Sequence, residues 1–141
     1  MLKINNQKEF QKALNKFKSV PPDLLKDIIK KTAFDTFADL QEHTPEDTRR
    51  AKGGWNVTVD SPPSEWKPPA GEKRYPLQRF SGDGKIKFDS LVNLSNNVEY
   101  IIPLDEGHSK QRPEGIVNPV MARATAQLQR LLAVLKKRKY K

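Results

Sequence analysis

Near its C-terminal end the chain reads NPVMARATAQLQRLLAVLK, Asn118–Lys136. Asn118 has a side chain that caps helices, and Pro119 suits a first helical position because no backbone N–H is needed there. Met121, Ala124, Leu128, Leu131 and Leu135 follow at three- and four-residue steps, which places them on one face of a helix. The spacing therefore predicts a long amphipathic helix over Asn118–Lys136, and such a helix must bury its apolar stripe against another layer.

Working back from this helix shows what that layer is. Residues 5–18 repeat the helical period with Phe10, Ala13, Leu14 and Phe17, and Pro21-Pro22 interrupts them. Pro22 and Asp23 suit the first turn of a second helix, predicted to run to about Glu42 with Leu25, Ile28, Ile29, Phe37 and Leu40 as its stripe. After the polar, turn-prone stretch 43–54, Asn56–Asp60 (NVTVD) alternates as a strand, with Trp55 at its start. Lys85–Leu94 reads as another strand, anchored by Ile86, Phe88 and Leu91, and Asn96-Asn97 as a turn. Val98–Leu104 is a strand or a helical turn; so few residues leave both readings open. The order helix, helix, strands, helix predicts a single α+β domain over 1–141, with an antiparallel sheet packed by N-terminal helices and the long C-terminal helix.

Between the two strands lies the segment 61–84, SPPSEWKPPAGEKRYPLQRFSGDG, with five prolines and three glycines. Those breakers forbid a helix or a central strand. A loop of this length is uncommon in a compact domain, and this one carries Trp66, Tyr75 and Phe80. The three aromatics are expected either to fold over the body or to anchor a partner.

Composition narrows the function classes. Hydrophobic residues make up 35% of the 141 positions and charged residues 30%, a lean core for a free-standing domain that points to added stability from neighbours. The chain has no cysteine, which excludes disulfides, thiolate metal sites and cysteine nucleophiles. No apolar run nears the ~20 residues that span a bilayer, and MLKINNQKEF lacks the apolar core of a signal peptide. A soluble protein made in the cytosol, with no membrane partner, is expected. The net charge is +9, but Lys136, Lys137, Arg138, Lys139 and Lys141 contribute five of it, so the rest of the chain carries only +4. This basic tail over 136–141 suits the negative end of a helix, and it is also where a DNA-binding accessory would make phosphate contacts.

Motifs for chemistry are absent. The two histidines, His43 and His108, lie 65 positions apart with no metal-ligand spacing around them. No glycine-rich phosphate loop or nucleophile elbow occurs, and Gly53-Gly54 alone cannot cradle a phosphate. No cofactor, metal or catalytic residue is assigned. The stretch Tyr100–Val120, YIIPLDEGHSKQRPEGIVNPV, reads as a connector from sheet to helix. In it Gly107 allows a reversal, Pro113 and Gly115 form a second bend, and Asp105 and Glu106 are displayed at a turn to meet a basic neighbour.

Two islands resemble one family. TPEDTRRAKGGW, Thr44–Trp55, resembles the Thr-Pro-Val-Asp-Thr-Gly-Arg…Trp box of bacteriophage tail-completion proteins, the neck or head–tail connector proteins that include the minor-tail-protein-Z type. VEYIIPLDEGHSKQRPEGIV, Val98–Val117, is similar to their Tyr-Ala-x-x-(Leu/Ile/Val)-Glu-x-Gly-(His/Thr)-Ser segment and its proline-bearing exit. Together they cover about a quarter of the chain. The chain departs from the pattern at Arg49, where the family has Gly, at Glu46, where it has Val, and at Pro103. The resemblance implies a structural virion protein without a reaction or cofactor, made in the host cytoplasm and built into the virion. Such proteins form a ring, often six-fold, between the head connector or stopper and the tail terminator or tail tube. Transient contact with DNA or the tape-measure protein is a further expectation. For such a role Trp66, Tyr75, Phe80, Asp105, Glu106, Lys136, Lys137, Arg138 and Lys139 are the expected interaction residues.

Overall fold

The computed structural model describes residues 1–8, 12, 15 and 20–139, with side chains throughout except for 135–139. It is an α+β fold: a three-stranded antiparallel sheet packed by helices, with a long C-terminal helix. Among the described residues the strands are β1 (Leu2–Asn5), β2 (Trp55–Val59) and β3 (Val92–Asn96), and the continuous helices are α1 (Pro22–His43), α2 (Ile101–Asp105) and α3 (Val117–Lys139). The sheet order is β1-β3-β2, so the last strand in sequence lies between the first two.

The sheet's two faces differ in chemistry. Pairing sets Ile4 and Val57 on either side of Leu94, and Asn5 and Thr58 on either side of Asn93. Side chains alternate along a strand. One face therefore carries Ile4, Val57, Val92 and Leu94, and the other Lys3, Asn56, Asn93 and Ser95. The apolar face meets α1 and α3. Helix α1 buries Ile28, Ile29, Ala33, Phe37 and Leu40, together with Thr32, Thr36 and Gln41. Helix α3 buries Val120, Ala124, Leu128 and Leu132 at four-residue steps. Met121 and Leu131, two members of the expected stripe, flank this row half-buried, so the helix is rotated by about one residue from expectation.

Three expectations need correction. The N-terminal residues Leu2–Asn5 form a strand, which the helical reading of 5–18 did not include; Lys12 and Asn15 are helical, and Phe10, Ala13, Leu14 and Phe17 lie outside the described residues. The strand expected over Lys85–Leu94 lies later, at Val92–Asn96. Lys87 and Ser90 close a turn before the sheet: the Ser90 N–H donates to the Lys87 carbonyl at 3.2 Å and the Lys87 N–H to Ser90 Oγ at 2.8 Å. Phe88 consequently projects outward, while Ile86 stays in the core. Asn96, expected in a turn, ends β3 fully buried. Its Nδ2 donates to the Ala51 carbonyl at 2.8 Å, and its Oδ1 accepts the Val98 N–H at 3.0 Å. The open reading of Val98–Leu104 resolves into the short helix α2.

The segment 61–84 has no strand and only one 3-10 turn, at Asp83–Lys85, as its prolines require. Its first part, Ser61–Trp66, lies over the polar face of the sheet, and its later part reaches α1, where Gln41 Nε2 donates to the Gln78 carbonyl at 2.8 Å. Prolines supply carbonyls without N–H groups, so the segment needs donors, and the sheet provides them. Asn93 Nδ2 donates to the Ser61 carbonyl at 3.0 Å, Asn97 Nδ2 to Ser64 at 2.9 Å and Asn56 Nδ2 to Trp66 at 3.0 Å. These bonds let β3 be buried along all five residues, by helices on one face and this strap on the other.

Candidate interaction surface

The two islands singled out by sequence meet in space. The box Thr44–Trp55 closes on itself: Trp55, fully buried, donates its indole N–H to Thr44 Oγ1 at 2.9 Å, and the Thr44 hydroxyl donates to the Leu40 carbonyl at the end of α1. The first and last residues of the box thus tie β2 to α1. Gly54 is required by crowding, since a Cβ there would lie 2.6 Å from Val98 Cγ2 and 2.9 Å from Asn96 Oδ1. Arg49, where the resembled box has glycine, has φ 73, in the left-handed region that glycine favours. Its Nε pairs with Glu46 Oε1 at 2.6 Å, and that hydrogen bond is the main reason the Glu46 carboxyl lies below the usual carboxylate range.

The Val98–Val117 segment packs beside this box. Arg50 reaches Glu99 with both ends of its fork, at 2.6 and 3.1 Å, and its Nε donates to the Pro68 carbonyl at 3.0 Å. One guanidinium therefore joins box, strap and second island, and it lies 6.0 Å above the Tyr100 ring centroid. Lys67 adds a contact to Glu99 at 2.8 Å. Hydrogen bonds from Arg50 and then Lys67 hold the Glu99 carboxyl far below its ordinary value, while burial pushes the Tyr100 phenol up. Gln111 mimics a peptide group toward Glu46: its Oε1 accepts the Glu46 N–H at 2.8 Å and its Nε2 donates to the Glu46 carbonyl at 2.9 Å. Arg112 Nε donates to the His43 carbonyl at 3.1 Å. His43 Nε2 lies 3.1 Å from Glu114 Oε1, within ion-pair reach but outside hydrogen-bond geometry.

Each expected interaction residue can now be placed. Trp66 is exposed at 45%. Its backbone is held on both sides, by Ser64 Oγ accepting its N–H at 3.2 Å and by the Asn56 amide. Tyr75 is not free for a partner: it is 5% exposed, its N–H donates to the Thr48 carbonyl at 2.9 Å, and its hydroxyl bonds Pro69 and Glu72 within the strap. Phe80 is half-buried, edge-on to Phe34 and Phe37, with ring centroids 5.8 Å from each. Of the three aromatics, two fold over the body and one faces outward.

Asp105 also differs from its expected display. Its Oδ1 accepts the N–H groups of Ile116 and Val117, at 3.1 and 2.8 Å, so it caps the start of α3. The cap expected from Asn118 comes instead from a residue across the connector. Gly107 and Gly115 make the bends, at φ 88 and 85. Glu106 is exposed, with Oε2 3.8 Å from His108 Nε2. The backbone of Lys136–Lys139 continues α3, and the side chains of Lys136, Lys137, Arg138 and Lys139 lie outside the described residues, as does all of Lys141.

Arg50, Glu99, Lys67 and Gln111 are the residues that sequence reading missed. Nothing in a single sequence signals that Arg50 and Glu99, 49 positions apart in polar stretches, form one pair. Among the described residues no group of three His, Cys, Asp or Glu side chains could hold a metal ion, and no helix is long and apolar enough to cross a membrane. Compared with known protein families, curated proteins and solved structures, the chain matches none.

Proposed function

We propose that the chain is a structural subunit of a long-tailed bacteriophage virion. It acts at the head–tail junction, completing the tail and joining it to the capsid connector as a closed ring of copies. The observation that carries this reading is the meeting of the two islands: Thr44 bonds Trp55 at the ends of one box, and Arg50 and Glu46 of that box bond Glu99 and Gln111 of the other. Residues that carry the family resemblance thus meet in one physical unit, which supports the reading. The left-handed Arg49, at the position of the family's glycine, supports the same register. The role uses shape and contact and no bond-making chemistry, with the head connector or stopper and the tail terminator or tube as neighbours.

Particles purified from a producing host provide the test. Mass spectrometry should find the chain in mature particles, and imaging should place its copies at the neck. A chain present in infected cells yet missing from the particles would overturn the proposal. Trp66→Ala should leave the monomer folded and reduce incorporation. Phe80 is unsuited to this test because it packs on Phe34 and Phe37. The rival reading, a DNA-binding accessory, rests on the basic end of α3. It predicts tight, salt-sensitive duplex binding in gel shifts that disappears when residues 136–141 are removed.

A further inference from the structure

Trp66 stands beside a crevice, and the two together form a patch that complements itself. The crevice is lined by Pro68, Pro69, Tyr75 and Pro76, by the polar Glu72, Arg74 and Gln78, and by Trp66 itself. The proline walls offer rings and no N–H donors, and the Tyr75 hydroxyl is already engaged by Pro69 and Glu72, so the interior favours an apolar ring. Trp66 is such a ring, presented on a backbone fixed by Ser64 and Asn56, so little ordering is lost when it docks. Glu72 and Arg74 are both exposed, and neither forms an ion pair among the described residues, although Arg74 contributes weakly to the field at Glu46.

We propose that the free protein pairs with a second copy through this patch about a two-fold axis. Each Trp66 enters the partner's crevice, and each Glu72 faces an Arg74. In a two-fold contact, residue i meets j and j meets i on the same patch, so knob and hollow, and acid and base, must lie side by side on one surface. They do so here. A head-to-tail contact would instead need its knob and hollow on separate faces. The pairing does not rest on the virion role. If both hold, the dimer covers Trp66 until assembly and has to open before the subunit joins a ring.

Analytical ultracentrifugation of the full chain over a concentration series tests this, with circular dichroism to confirm that each variant is folded. A monomer–dimer equilibrium is expected. Trp66→Ala should raise the dimer Kd by roughly thirty-fold or more, as for a central aromatic anchor. Glu72→Arg and Arg74→Glu should each weaken pairing about ten-fold, because each sets like charges opposite one another twice per dimer. The double variant Glu72→Arg/Arg74→Glu should restore the Kd to within about three-fold of the original. A monomer at every concentration, a dimer indifferent to Trp66→Ala, or a double variant as weak as the singles would each overturn the proposal. A larger ring dispersed by Trp66→Ala would overturn it too, since the contact would then be head-to-tail. These readouts concern the purified chain, so they stand apart from the particle experiments on the virion role.

Discussion

Replacing Asp105 with alanine separates two accounts of the connector. An acid held out for a neighbouring subunit could be removed with no effect on the isolated chain. Here one carboxylate oxygen accepts the N–H groups of Ile116 and Val117, at 3.1 and 2.8 Å. Losing a capping side chain costs about 1–2 kcal/mol, and losing a negative charge at the positive end of a helix adds about 0.5–1 kcal/mol. The expected loss for Asp105→Ala is therefore about 1.5–3 kcal/mol. Unfolding entropy near 2.1 cal/mol/K per residue gives about 0.3 kcal/mol/K for a chain of this length, so Tm should fall by about 5–10 °C. Asp105→Asn keeps an acceptor at the same place and loses only the charge, so about 0.5–1 kcal/mol and about 2–3 °C are expected. Urea titration followed by circular dichroism would supply both values, with an unchanged m-value as the control for compactness. If Asp105→Ala unfolds within about 0.5 kcal/mol of the parent chain, the carboxylate is not a cap and the reasoning fails.

Three further outcomes follow from the polar contacts. Glu99 has a depressed carboxyl pKa in the folded state, so its contribution is present above the ordinary glutamate value of 4.5 and disappears as pH falls below it. Acid unfolding curves of Glu99→Gln should lack that part of the fall, and identical pH profiles would remove the claim. Asn96→Ala strips partners from the buried Ala51 carbonyl and Val98 N–H and should cost about 2–4 kcal/mol in urea, well above the change for the half-buried Asn97, whose side chain bonds only the Ser64 carbonyl. Arg50→Lys loses the fork to Glu99 and the bond to Pro68, so limited proteolysis with trypsin should cut after Lys73 and Arg74 several-fold faster, roughly, with little change in global stability.

Sequence reading succeeded where one period dominated. The stripes of α1 and α3, the alternation of NVTVD and the breakers of 61–84 each produced the element they predict. It failed where distant context decided. KIKFD alternates as well as VNLSN does, and only the turn at Lys87–Ser90 and the strap's need for the Asn93 and Ser95 side chains favour the later strand. Four residues of β1 were too few to outweigh the helical spacing that follows them. The Asp105 cap was hidden because donor and acceptor lie 11 and 12 positions apart across a bend. Tyr75 and Phe80 were recognised as unusual in a loop, and the structure gives the reason for two of the three aromatics: they hold the strap to its own chain.

The strand order has a consequence for synthesis. β3 is the middle strand, yet it is the last of the three to leave the ribosome, following β1 by almost 90 positions. Until it emerges, the earlier strands have no ladder to join, and the nascent chain holds a helix with no sheet to cover it. Its arrival supplies both pairings at once, so the sheet should form late and in a single step, with loop closure setting the pace. A truncated product ending before residue 92 would lack not one strand of three but every rung of the sheet.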